Sequence, residues 1–100
     1  MTERLEVRET PEVQQWRSGL RDERAAAVID RRLRRLSLGL FGDFKSVGGG
    51  LSELRVDVGP GYRLYFIRRG PRVVLLLWGG DKSSQARDIE RARRLAEQYA

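Results

Sequence analysis

The sequence predicts an α+β fold in the order β-α-α-β-β-β-α, carried by one domain over residues 1–100. Three observations lead there. Apolar residues recur at three- and four-residue steps between Ala25 and Leu40, as on one face of a helix. From Leu54 to Val58 they alternate with charged residues, as in a half-covered strand. Bounded by Gly70 and Gly79, the run Val73–Trp78 is apolar at every position, which suits an interior strand covered on both faces. A small, mostly antiparallel sheet is expected, with an N-terminal helical hairpin and a C-terminal helix.

The elements follow in order. Residues 4–8 alternate polar and apolar and predict a first strand with Leu5 and Val7 inward. Thr10-Pro11-Glu12 starts a helix: Thr10 caps, Pro11 takes the first helical position and Glu12 faces the positive end of the dipole. Val13, Trp16 and Leu20 give that helix one apolar stripe, and Ser18-Gly19 ends it. Asp22 caps a second helix whose stripe is Ala25, Ile29, Leu33, Leu36 and Leu40, with Arg24, Arg31, Arg32 and Arg35 facing away. Residues 41–50 are expected to form a loop, closed by three glycines that mark backbone freedom or a close approach. Three meandering strands come next, turning at Gly59-Pro60-Gly61 and at Arg69-Gly70-Pro71. After Gly79-Gly80, the residues Asp81–Ser84 lead into a last helix with Ile89, Ala92, Ala96 and Tyr99 inward. Trp16, Ile29, Leu33, Leu54, Leu64, Phe66, Leu75, Leu77 and Ile89 are the expected core.

Composition narrows the chemistry. The chain has no His and no Cys, so thiolate or imidazole metal sites, a Cys nucleophile and His-based acid–base pairs are excluded. Any catalysis must use Arg, Lys, Tyr, Asp, Glu or backbone groups, and no metal or other cofactor is expected. The N-terminal Met1-Thr2-Glu3-Arg4 has no secretory apolar segment, and the longest apolar run is too short to span a bilayer. A cytoplasmic protein with no membrane partner is therefore expected. The net charge of +6 points to polyanionic partners, nucleic acid or an acidic protein. Of 20 basic residues only Lys45 and Lys82 are lysines, in a chain otherwise committed to arginine.

Period-2 geometry groups the candidates. Arg55 lies on the strand face opposite Leu54 and Val56, and Arg63 shares a face with Tyr65 and Ile67. The 59–61 turn brings Arg55 and Arg63 near one another, Lys82 stands at a glycine-flanked corner, and Lys45 sits in the glycine-rich loop. Arginines, lysines and tyrosines so placed suit cleavage of RNA by its own 2′-hydroxyl. That reaction needs positive charge around a pentacoordinate phosphate, help with the 2′ proton and a donor for the 5′ oxygen. The plainer readings stand beside it. Tyr62, Leu64 and Phe66 are as well explained as core, Arg68, Arg69 and Arg72 as a solvated rim, and the whole basic face as a surface that only binds.

The segments Gly48-Gly49-Gly50-Leu51-Ser52-Glu53-Leu54-Arg55, Gly59-Pro60-Gly61-Tyr62-Arg63-Leu64-Tyr65-Phe66 and Leu75–Gln85 with Asp88-Ile89 resemble the HigB-like addiction-module killer proteins of the RelE/ParE toxin superfamily. Glu9–Glu12 and Phe41-Gly42-Asp43 extend the likeness to nearly the whole chain. The resemblance implies a RelE-like fold and the toxin half of a type II toxin–antitoxin system. It implies mRNA cleavage on the ribosome and inhibition of translation. It also implies neutralisation by a cognate antitoxin, usually a helix-turn-helix protein from the adjacent gene. It assigns the chemistry to Arg63 and Lys82, with Arg55 and Lys45 matching at the local motif. Better-studied relatives carry a tyrosine in the first turns of the last helix, where this chain has Arg87, Asp88 and Ile89. Asp88 is then a candidate base, with Tyr62 or Tyr65 as substitutes where a ring faces the site, and Lys45, Arg68, Arg87 and Tyr65 are expected to contact RNA. ParE-like members that inhibit DNA gyrase, and a module that only binds its antitoxin, are the alternatives.

Overall fold

The structure, a computed structural model, describes residues 4–99; the Met1–Glu3 part of the leader reading lies outside them. The elements are β1 (Glu6–Glu9), α1 (Pro11–Ser18), α2 (Glu23–Ser37), β2 (Phe44–Gly48), β3 (Leu51–Val56), β4 (Tyr62–Arg69), β5 (Val73–Asp81), a 3₁₀ turn (Lys82–Ser84) and α3 (Gln85–Gln98). The sheet order is β1-β5-β4-β3-β2, antiparallel throughout except for the parallel pair β1–β5. This is an α+β fold with one helix more than a hairpin on a five-stranded, mostly antiparallel sheet.

Thr10 joins β1 to α1 by serving both. Its N–H donates to Leu76 O at 3.1 Å and its hydroxyl to Leu77 O at 3.0 Å, while the same oxygen accepts from the Val13 N–H at 3.2 Å. Pro11 then fills a position whose missing N–H would have had no partner. Asp22 caps α2 by accepting from the Arg24 and Ala25 amides. The first strand begins at Glu6 rather than residue 4, and Leu5 precedes it while still packing against the core beside Val7.

Helical period holds for Ala25, Ile29, Leu33 and Leu36, all buried, but not for Leu40, which is 46% exposed. The helix has already ended: Gly39, at φ +81°, turns the chain through the left-handed region and throws Leu40 outward. Arg32 does not face away either. Its guanidinium is half-buried and donates to the carbonyls of Phe41, Asp43 and Arg55, so it ties the chain after α2 to β3. Burial holds its pKa below the ordinary arginine value.

The largest departure is β2. Where a loop was expected, Phe44–Gly48 pairs antiparallel with β3. Gly48, Gly49 and Gly50 all have positive φ, so the three glycines make a tight reversal instead of a loose connection. β2 is an edge strand with mostly exposed side chains, and it therefore lacks the apolar alternation that betrays a strand.

β5 is an interior strand as expected, but it runs through Gly79 and Gly80 to Asp81. Its register against β4 shifts between Tyr65 and Phe66, whose partners are Trp78 and Leu76. The skipped Leu77 is an extra residue, a bulge that puts Leu77 and Trp78 against the same layer. The hairpin of α1 and α2 covers Leu54, Val56, Leu64, Phe66, Val74 and Leu76. On the other face α3 covers Leu51, Tyr65, Leu75 and Leu77. Each fully buried Leu contributes about 1.5–3 kcal/mol by leaving water. Trp16 and Ile89 pack on these cores but are half-buried, the two exceptions among the expected core residues. Among the described residues no helix is long and apolar enough to cross a membrane.

Candidate functional site

The 59–61 turn and the register of three strands gather the cations. Gly59 and Gly61 adopt φ of +56° and +84°, which only glycine takes readily, and close the β3–β4 hairpin tightly. The resulting register sets Arg55 directly opposite Arg63, and β5 sets Gly80 on the other side of Arg63. Lys82 follows in the 3₁₀ turn, its N–H donating to Gly61 O at 2.8 Å. Asp81 caps that turn by accepting from the Ser83 amide and hydroxyl, bonds that hold its carboxyl below the usual aspartate range. Arg55, Arg63 and Lys82 thereby line one open groove of about 320 Å³, together with Asp43, Val56, Asp57 and Tyr62.

The three cations are held differently. Arg55 turns Nε and Nη2 toward one oxygen of Asp43, at 3.1 and 2.8 Å, in a pair open to water. Arg63 donates through Nη1 to Glu53 at 2.8 Å, and that carboxylate is 2% exposed. Lys82 is exposed and, among the described residues, has no carboxylate within ion-pair distance. It is the one groove cation free to meet a ligand without first leaving a partner.

Asp88 does not belong to this groove. It is 5% exposed beneath α3, where Oδ1 accepts from the Trp78 indole N–H at 2.9 Å and Oδ2 from the Ser84 hydroxyl. The reason is local: Gly80 has no side chain, and the carboxylate occupies the space a methyl group would take. Tyr65 does not line the groove either. It is fully buried against α3, and burial, with the charges of Glu53 and Asp88, pushes its hydroxyl well above the ordinary tyrosine value, against a smaller opposing effect of Arg63. Lys45 is exposed on β2 opposite Glu53 and does not line the groove. Arg68 lies five residues from Arg63 along β4, roughly 16 Å by strand rise. It stacks over Phe41 and borders a different hollow, near Gly49, Gly50 and Arg93. Arg87 is exposed on the first turn of α3, outside the groove lining.

Sequence reasoning missed Glu53, Gln85, Asp43 and Asp57. Glu53 was readable as a solvent-facing residue of an alternating strand. The signal against that was the apolar stripe of the last helix, which has to cover one sheet face, and Glu53 shares the Arg63 and Tyr65 face.

No family profile matches the chain. An uncharacterized protein of Haemophilus influenzae is 45% identical to it over 94 residues, covering 94% of this chain and 95% of that protein. The chain belongs to that protein's family. Coverage is near-complete on both sides, so the likeness runs over the whole chain and not one segment. The relative's name assigns no activity.

Proposed function

We propose that this chain is the toxin of a type II toxin–antitoxin pair, a RelE-like, metal-independent endoribonuclease that cleaves mRNA on the ribosome. The observation that carries the reading is the convergence of Arg55, Arg63 and Lys82 on one open groove. Two guanidinium groups offer planar donor pairs for the non-bridging oxygens of a phosphodiester. The RNA 2′-oxygen attacks the adjacent phosphorus, the bond to the 5′-oxygen breaks, and the products are a 2′,3′-cyclic phosphate and a 5′-hydroxyl. One proton leaves the 2′-hydroxyl and one reaches the departing 5′-oxygen, so no water is consumed. Lys82, an unpaired ammonium, is the donor to the 5′-oxygen. Asp57, the groove carboxylate with no partner among the described residues, takes the 2′ proton in place of the buried Asp88. The partners of this reading are the ribosome with its mRNA and a cognate antitoxin, in the bacterial cytoplasm.

One observation favours a second reading. Arg55 and Arg63 are already paired to acids, and Asp88 and Tyr65 are buried, which suits a groove that binds without cutting. A gyrase-inhibiting toxin or a pure antitoxin receptor would look like this. Purified protein is to be incubated with ribosomes and mRNA, beside a gyrase supercoiling assay. Cleavage leaving cyclic phosphate ends, persisting with EDTA once ribosomal magnesium is restored and slowed in Asp57→Asn, is the expected result. Intact mRNA together with inhibited supercoiling would overturn it.

A further inference from the structure

Beneath the groove lies a polar cluster that the apolar packing of α3 does not explain. One oxygen of Glu53 accepts from Arg63 Nη1 at 2.8 Å and the other from the Gln85 side-chain amide at 3.1 Å. Glu53 is 2% exposed and the Arg63 side chain 14%. A buried ion pair of this kind adds little to stability, because the loss of hydration offsets most of the attraction, and apolar residues of similar volume do as well or better. What the pair fixes is a direction. Among the described residues Arg63 uses only Nη1 on the protein, and its remaining exposed surface borders the groove. Arg55 differs: its partner Asp43 is 56% exposed, on the chain between α2 and β2.

We infer that Glu53 is the positioning residue of the groove. It grips the Arg63 guanidinium by one nitrogen, so that the other N–H groups meet the oxygens of an RNA phosphodiester without rearrangement. Gln85, the first residue of α3, holds Glu53 in turn. A flexible arginine loses side-chain entropy when it is ordered on a ligand, and a site ordered beforehand avoids that loss during the reaction. The identity of the anion rests on the endoribonuclease reading; the ordering of Arg63 by Glu53 does not.

Two measurements on the full chain test this. The first is single-turnover cleavage on saturating ribosomes. Glu53→Ala is expected to slow the cleavage step about 10²-fold, the effect of misplacing a reacting group by about an ångström, with half-saturation changed less than about threefold. Glu53→Gln, which keeps an acceptor oxygen, is expected to recover about tenfold of that loss. In an Arg63→Ala background, Glu53→Ala should add less than about threefold, because it acts through a side chain no longer there. The second measurement needs no activity: the ¹⁵N heteronuclear NOE of Arg63 Nε–H. It should be high in the wild type and fall in Glu53→Ala and, less, in Gln85→Ala, while Arg68 stays unchanged. If the wild type does not cleave but the NOE falls, the nuclease reading fails and the positioning role stands. An NOE unchanged in Glu53→Ala, or full additivity with Arg63→Ala, overturns the inference. Gln85→Ala leaves the buried charge paired with Arg63, so it keeps the test open should Glu53→Ala not fold.

Discussion

Gly80→Ala should be among the most damaging single-methyl additions in this chain. A Cβ at Gly80 would stand 2.0 Å from Asp88 Oδ2 and 2.8 Å from its Cγ, where ordinary contact begins near 3.4 Å. The carboxylate must therefore retreat by more than about an ångström, and it is hemmed in, being 5% exposed and bonded to Trp78 and Ser84. Each hydrogen bond to a charged acceptor contributes about 1.5–3 kcal/mol net, so losing or stretching both should destabilise the fold by about 3 kcal/mol. For a chain of this size that is a fall in Tm of about 12–24 °C. Gly80 is not one of the positive-φ glycines, so backbone strain does not enter. The decisive variant is the double one. Asp88→Ala alone leaves the Trp78 N–H unpartnered, at a cost of about 1–3 kcal/mol, but it also empties the space the methyl group needs. Adding Gly80→Ala to Asp88→Ala should then change stability by less than about 1 kcal/mol, far from additive. Thermal and urea melts of the four proteins check this. A Gly80→Ala protein melting within about 3 °C of wild type, or simple additivity, would show that Asp88 is not the buried anchor described here.

On the proposed endoribonuclease reading, Lys82→Ala should lower single-turnover cleavage about 10²-fold, the low end for loss of one transition-state donor, because the groove is open to water. Its side chain is exposed and its backbone bond to Gly61 survives in Ala, so melts should shift by roughly half a kcal/mol or less. Lys82→Arg should stay within about threefold of the Ala variant, since guanidinium does not give up a proton; recovery to wild-type rate would assign Lys82 to charge alone. Tyr65→Phe should be neutral or stabilising by up to about 1 kcal/mol near pH 8, because the buried hydroxyl has no hydrogen-bond partner among the described residues. It should also flatten the alkaline limb of stability. The folded hydroxyl titrates above its ordinary value of 10.0, so the unfolded chain ionises first and wild-type stability falls as pH rises past that value. Urea midpoints at neutral and alkaline pH measure the difference, and parallel curves for wild type and Tyr65→Phe would contradict the burial of that hydroxyl.

Local signals carried most of the fold. Thr10-Pro11, Asp22 and the two stripes of α1 and α2 were legible because caps and periodicity are properties of neighbours in sequence. Val73–Trp78 announced an interior strand because only cover on both faces accommodates an unbroken apolar run. β2 was illegible for the opposite reason: an exposed edge strand has backbone partners but no buried face. In the site, the pairing of Arg55 with Arg63 followed from one turn and a period of two, and the structure bears it out. Asp88 and Tyr65 were misplaced because each is defined by a layer contributed from elsewhere, α3 on the sheet, and by a bulge at Leu77 that no local pattern marks.

The two carboxylates buried between α3 and the sheet show why site and fold are hard to separate here. Glu53 and Asp88 are both buried, and each accepts two hydrogen bonds, one from the start of α3 or the turn before it and one from the sheet. Glu53 pairs with a groove arginine, whereas Asp88 is bonded to Trp78 and Ser84 and does not line the groove. Lys82 stands in the same short stretch, three residues before Gln85. The 3₁₀ turn and the first turn of α3 therefore set the free cation, the brace of the paired one and the anchor of the helix itself. A substitution that lifts this stretch should lose cleavage and melting temperature together, whereas Lys82→Ala should lose cleavage alone. On the proposed reading, that separation distinguishes a residue that acts on the RNA from residues that hold it in place.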